Sequence, residues 1–194
     1  MSRALRFTWP VRLGAVPALP AAPEVPRNTV LHGDCIELMR NLPAESVDFI
    51  LTDPPYVCRY RDSSGRTVAN DDRTDWILPA AREMYRVLKP DSFMVSFYGW
   101  NAADHFVSAW KQAGFRVSSH LVFVKDYASS SRFLEHRHEM AYLLTKGRPA
   151  IPDRVKLSDV QGWSYSGNRL HPTEKPVPSR QPLSEQLRPT GGLV

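Results

Sequence analysis

A strand-like apolar run, Val47, Asp48, Phe49, Ile50, Leu51 and Thr52, passes without a break into Asp53, Pro54, Pro55 and Tyr56. β-branched and aromatic residues favour a pleated, buried strand. Two successive prolines cannot extend it, because each fixes φ and lacks an N–H donor. The strand must therefore stop at a stiff turn whose chemistry is concentrated in four residues, and whatever surrounds it must bury the apolar run.

The flanking segments supply that surrounding. Residues 29–32 read as a strand, residues 35–41 as a helix carrying Ile36, Leu38 and Met39, and with 47–52 they make a β-α-β start. Farther on, residues 76–88 place Ile77, Ala80, Ala81, Met84 and Leu88 on one helical face, Lys89-Pro90-Asp91 stops that helix, and residues 93–98 form the next strand. Residues 101–113 predict a helix ended by Gly114, and residues 115–124 and 139–145 two strands, the second closed by Lys146-Gly147. The alternation predicts an α/β fold, a mostly parallel sheet with helices on both faces whose last two strands form an antiparallel hairpin.

With 194 residues and 42% hydrophobic content the chain suits one core. Residues 1–27 hold Pro10, Pro17, Pro20, Pro23 and Pro26 and read as a flexible Ala/Pro-rich arm, leaving residues 28–194 as the folded unit. Two long polar loops, residues 57–75 and 148–172, are candidates for function. Lys and Arg exceed Asp and Glu by 25 to 20, which suits a polyanionic partner without requiring one. Cys35 and Cys58 have neither disulfide nor zinc spacing and fit a reducing cytoplasm. No run of about 18 apolar residues reads as a membrane span.

At the turn, the Asp53 carboxylate and the Pro54 carbonyl form a rim of acceptors at the carboxyl end of a strand, where open α/β sheets place ligands. Such a rim suits an amino group. An exocyclic amine conjugated to a nucleobase is a poor nucleophile, and acceptors that hold its hydrogens favour a tetrahedral nitrogen with a free lone pair. Tyr56 adds a flat face for an extruded base. The plainer alternative is a rigid turn and nothing more. Gly33-Asp34-Cys35 reads equally as a helix start capped by Asp34, and His171-Pro172-Thr173-Glu174-Lys175-Pro176 as a proline-stiffened loop.

Taken in order and spacing, these three elements resemble the β group of DNA amino-methyltransferases over residues 28–194. The resemblance implies a Rossmann-like class I methyltransferase sheet in circularly permuted order, with S-adenosylmethionine as cofactor and double-stranded DNA as partner. It implies catalysis by Asp53, Pro54, Pro55 and Tyr56, and cofactor contacts from Gly33, Asp34, Cys35, Asp53, His171, Thr173 and Lys175. Asp at position 53 tilts the expectation toward adenine N6 over cytosine N4.

After Pro189-Thr190-Gly191-Gly192-Leu193-Val194, members of that group continue into a strand and a Gly-rich cofactor loop that this sequence lacks. The expectation is a sheet without its middle strands and weak cofactor affinity, with a homodimer or a complementing C-terminal fragment as possible partners. An inactive remnant that binds DNA weakly, and a methyltransferase acting on RNA or protein, are the competing readings.

DNA contact is expected from Arg59, Tyr60, Arg61 and Arg66 in the first loop and from Arg132 and Arg137 within residues 125–138. His136 and His138 lack a third ligand in a fixed pattern, so no metal is expected. Trp163 and Tyr165, near Arg169, would either line the DNA or cofactor side or anchor their loop to the core.

Overall fold

The computed structural model describes residues 25–129, 133–150, 157–165, 167 and 173–194. The elements in chain order are α1 (Cys35–Arg40), β1 (Val47–Thr52), α2 (Ile77–Val87), β2 (Leu88–Phe97), a 3-10 turn (Trp100–Ala102), α3 (Ala103–Ala113), β3 (Arg116–Val124), β4 (His138–Lys146), β5 (Val160–Gly162) and α4 (Val177–Leu187). The five strands form one sheet in the order β1-β2-β4-β3-β5.

Strand sequences alternate which face they serve, as a period of two requires. On β2, Met94 points to one side, with Tyr98 just beyond the strand, and Val95 and Phe97 to the other; on β4, Leu144 and Ala141 divide the same way. The first side is roofed by α2 and α3, whose buried residues Ile77, Ala81, Phe106, Ala109 and Trp110 form one cluster with Leu88 and Met94. The other gathers Phe49, Val95, Phe97, Phe123, Trp163 and Leu183, the last from α4. Both faces are buried at β1 and β2, whose apolar runs follow from that, whereas β3 opens with exposed Arg116, Ser118 and Ser119.

Three details depart from the sequence reading. Residues 29–32 form no strand: Val30 is 94% exposed, and among the described residues no strand lies alongside to satisfy its backbone. The sheet is mixed, with β1–β2 and β3–β5 parallel and β2–β4 and β3–β4 antiparallel. β2 begins at Leu88, where helix and strand meet with almost no linker, and Lys146 donates to the Tyr85 and Leu88 carbonyls at 3.0 and 2.7 Å to tie the junction. The hairpin of β3 and β4 is as expected.

β1 lies at one end of the strand order. Along its outer edge the Leu193 carbonyl accepts from the amides of Asp48 and Phe49 at 2.9 and 3.2 Å. The Leu193 amide in turn donates to the Asp48 carboxylate at 2.8 Å. Residues 1–24 of the expected arm lie outside the described residues, and no described helix is long and apolar enough to cross a membrane.

Candidate active site

The carboxyl ends of β1, β2, β3 and β5 and the amino end of β4 converge on one rim of the sheet, and a cavity of about 1470 Å³ opens there. Asp53, Pro54, Pro55 and Tyr56 line it together, so the turn foreseen at the end of β1 faces open space. The Asp53 side chain keeps 30% of its surface exposed.

The turn is pinned at three points. Gly99, just past β2, lies against its backbone: a Cβ at that position would sit 2.0 Å from the Tyr56 carbonyl oxygen, so only glycine fits. Asn101 donates to the Val57 carbonyl at 2.8 Å, holding a β-branched residue at φ 58, a strained conformation of the kind kept at functional sites. The Tyr56 hydroxyl donates to Glu139 Oε2 at 3.4 Å, reaching over β2 to the start of β4.

Two ion pairs line the cavity among the described residues. Lys175 Nζ lies 3.3 Å from Asp53 Oδ1 and 4.8 and 5.7 Å from the centroids of the Tyr56 and Phe97 rings. Lys125, 4% exposed, pairs with Glu139, donates to Ser129 Oγ at 3.3 Å and lies over the rings of Tyr127 and Trp163. Burial raises the Asp53 pKa, with Lys175 and Tyr56 opposing the rise and Glu139 adding to it. Burial and the two nearby carboxylates push the Tyr56 phenol well above its ordinary value, so it stays a neutral donor.

The loop after the turn is organised by Asp71, which is 3% exposed. Its carboxylate accepts from the Tyr60 amide at 2.6 Å and from the Cys58 amide and thiol at 3.3 and 3.4 Å, and its carbonyl accepts from the Arg59 amide at 3.0 Å. Burial and the Asp71 hydrogen bond push the Cys58 thiol up to about 11.

Of the cofactor candidates, Thr173 and Lys175 line the cavity beside Asp53, and His171 lies outside the described residues. Gly33, Asp34 and Cys35 do not line it; Asp34 caps α1, accepting from the Ile36 and Glu37 amides at 2.8 and 3.3 Å.

Of the DNA candidates, Tyr60 lines the cavity and Arg59, Arg61, Arg66 and Arg137 are exposed and do not line it, Arg66 paired with Asp62 at 2.7 Å; Arg132 and Arg169 lie outside the described residues. Trp163 anchors its loop, 8% exposed with its indole donating to the Tyr127 hydroxyl at 3.2 Å, and also lines the cavity; Tyr165 stays 60% exposed.

Sequence reading missed Glu139, Asp71 and Gly99, and reached Lys125 only as part of the segment 125–138 expected at the DNA. Only a Gly directly after an apolar strand, as at Gly99, carried a local signal of close backbone approach.

A Rossmann-like sheet with an acceptor-lined turn at this rim defines a class I methyltransferase, and comparison with known proteins agrees. A sequence model of the family described as DNA methylase, the N6/N4 methyltransferases, matches residues 47–194. YubD of Escherichia coli strain K12, named as a methylase, is 56% identical over 164 residues, covering 84% of this chain and 72% of YubD. YhdJ of the same strain, named as a DNA adenine methyltransferase, is 32% identical over 145 residues, covering 73% of this chain and 45% of YhdJ.

Among solved structures, PvuII DNA methyltransferase, described as cytosine-N4-specific, superposes with a TM-score of 0.63 at 16% identity, covering 81% of this chain and 69% of that one. M1.HpyAVI in complex with S-adenosylmethionine gives 0.60 at 19% identity, covering 81% and 76%. The chain belongs to the N6/N4 DNA methylase family, whose cofactor is S-adenosylmethionine.

The cavity fits such a cofactor in one checkable respect. S-adenosylmethionine carries a sulfonium cation, and the Lys175 ammonium shows that a cation is accepted between the Asp53 carboxylate and the Tyr56 and Phe97 rings.

Proposed function

We propose that this protein transfers a methyl group from S-adenosylmethionine to the N6 amino group of adenine in double-stranded DNA. The observation that carries the reading is the Asp53 and Pro54 rim opening onto a cavity beside the Tyr56 ring at the end of β1. The aspartate at position 53 and the similarity to YhdJ favour adenine over cytosine.

An adenine extruded from the duplex stacks on Tyr56, a contact of roughly 1–3 kcal/mol. Asp53 and the Pro54 carbonyl accept its two amino hydrogens and turn the nitrogen lone pair toward the donor. The cofactor supplies an activated methyl group, held on the side of Asp53, Thr173 and Lys175. Transfer of that methyl group would release the cofactor as a neutral thioether and leave the nitrogen with one proton to shed. Asp53, its pKa raised by burial, is placed to receive that proton before it passes to water. Lys175 must yield part of its hold on Asp53 to the incoming amine, and a carboxylate has lone pairs for both.

Exposed Arg59, Arg61, Arg66 and Arg137 steer phosphates around the mouth, and free Cys35 and Cys58 suit a reducing cytoplasm. The test incubates the chain with labelled S-adenosylmethionine and unmethylated duplex DNA and identifies the modified nucleoside after digestion. Label on N6-methyladenine is expected. Label on N4-methylcytosine would assign the other base, and no label on any DNA would reject the reading.

A further inference from the structure

Trp100 is an indole that the fold has not buried. It follows Gly99 directly, opens the 3-10 turn that leads into α3, and is 63% exposed while lining the same cavity as Asp53 and Tyr56. One of its faces is occupied: the His136 ring stacks on it at 5.9 Å between centroids and 22° between planes.

That pairing is held from both sides. The Gly99 contact with the Tyr56 carbonyl and the Asn101 bond to the Val57 carbonyl fix the backbone around Trp100. The His136 carbonyl accepts from the amide and hydroxyl of Ser129 at 2.9 and 3.0 Å, and Ser129 is tied in turn to buried Lys125. A large apolar ring kept at a cavity mouth on a rigid mount is placed to be covered by something flat.

Electrostatics narrows what that is. The cavity lining carries five carboxylates against three Lys or Arg side chains, so its interior does not attract a phosphate backbone. Cations sit outside it: exposed Arg59 lies between cavity-lining Cys58 and Tyr60, and exposed Arg137 between cavity-lining His136 and His138. Neither arginine lines the cavity. A polyanion is therefore held at the collar while an uncharged, flat group enters, and stacking on Trp100 needs no charge.

We propose that the exposed face of Trp100, backed by His136, stacks on a base bordering the gap that opens in the duplex when the target adenine is extruded. Trp100 is thus a binding residue for DNA with a displaced base, distinct from Tyr56, which receives the extruded base itself. The proposal rests on the DNA methylation reading above.

The experiment compares binding of the full chain to two duplex oligonucleotides at the same ionic strength, one intact and one with a central abasic nucleotide that leaves its neighbours half unstacked. Fluorescence anisotropy gives both affinities, and circular dichroism with thermal melting checks each variant's fold. Wild type is expected to prefer the abasic duplex by roughly ten-fold. Trp100→Ala should abolish that preference and leave affinity for the intact duplex unchanged, whereas Trp100→Phe should keep most of it. Equal wild-type affinity for the two duplexes would overturn the proposal, as would a Trp100→Ala variant that retains the preference or that weakens on both duplexes alike. Wild type that binds no DNA would instead defeat the methylation reading, and the stacking proposal with it.

Discussion

The two faces of the sheet are built differently although both are buried. On one, α2 and α3 lay regular amphipathic stripes over Leu88, Met94 and Leu144, and Tyr98 meets Phe106 and Trp110 edge to face. On the other, α4 contains Pro182 and buries only Ser179 and Leu183, and the single-residue anchor Trp163 closes part of the surface. Lys175 on this side lies against Phe97 and Tyr56. The regular face supplies stability, and the irregular one lets side chains of differing reach meet the Asp53–Tyr56 turn.

The sharpest way to break this division is at Asp53. Asp53→Ala should abolish methyl transfer with the melting curve nearly intact, measured by labelled methyl incorporation and calorimetry. Asp53→Asn adds a sign test. Because the folded-state pKa is raised, Asp53 favours folding while protonated, and that contribution is lost as pH rises through the folded pKa. The Asn variant should therefore melt above wild type at neutral pH, with the difference vanishing in acid. Equal melting at both pH values would show that Asp53 ionises without cost.

Gly99→Ala comes next. Its Cβ would strike the Tyr56 carbonyl, backbone against backbone, so the turn must shift, and a displacement near 1 Å costs about a hundred-fold in rate. Activity close to wild type would mean the cradle is dispensable.

Trp110→Ala tests the other face. It should cost about 3–5 kcal/mol of stability, read from denaturant unfolding, while turnover per folded molecule stays as in wild type. A fall in turnover with stability preserved would erase the distinction between the faces.

The smallest effect is expected at Glu139. Glu139→Gln removes a charge that raises the Asp53 pKa, so the acid limb of the pH–rate profile should move to lower pH. Turnover should fall about ten-fold as the charged acceptor of the Tyr56 hydroxyl becomes a neutral one, and further in Glu139→Ala, which removes it. An unmoved acid limb would remove Glu139 from the electrostatics of the turn.

Much of the regular face was legible from sequence because its signals are local. The stripe through Ile77, Ala81 and Met84 and the stop at Gly114 lie within single helices, and β1 ends where the prolines require. Asp53 to Tyr56 was legible for the same reason. The partners of that turn were not: Tyr56 and Glu139 are 83 positions apart and meet only because β4 pairs with β2, a strand order no local pattern encodes. β5 is three residues long inside a polar loop, too short for periodicity to register. Residues 29–32 misled for the converse reason, since their strand-like composition meets no neighbour to pair with among the described residues.

The Asp71 clamp on Cys58 has a consequence for chemoselectivity. A thiolate beside an activated methyl group would outcompete an aromatic amine and alkylate the enzyme on its own cavity wall. With the thiol pushed up to about 11, Cys58 stays protonated at neutral pH, and under the proposed methylation reading the carboxylate that folds the loop would also spare the protein from methylating itself.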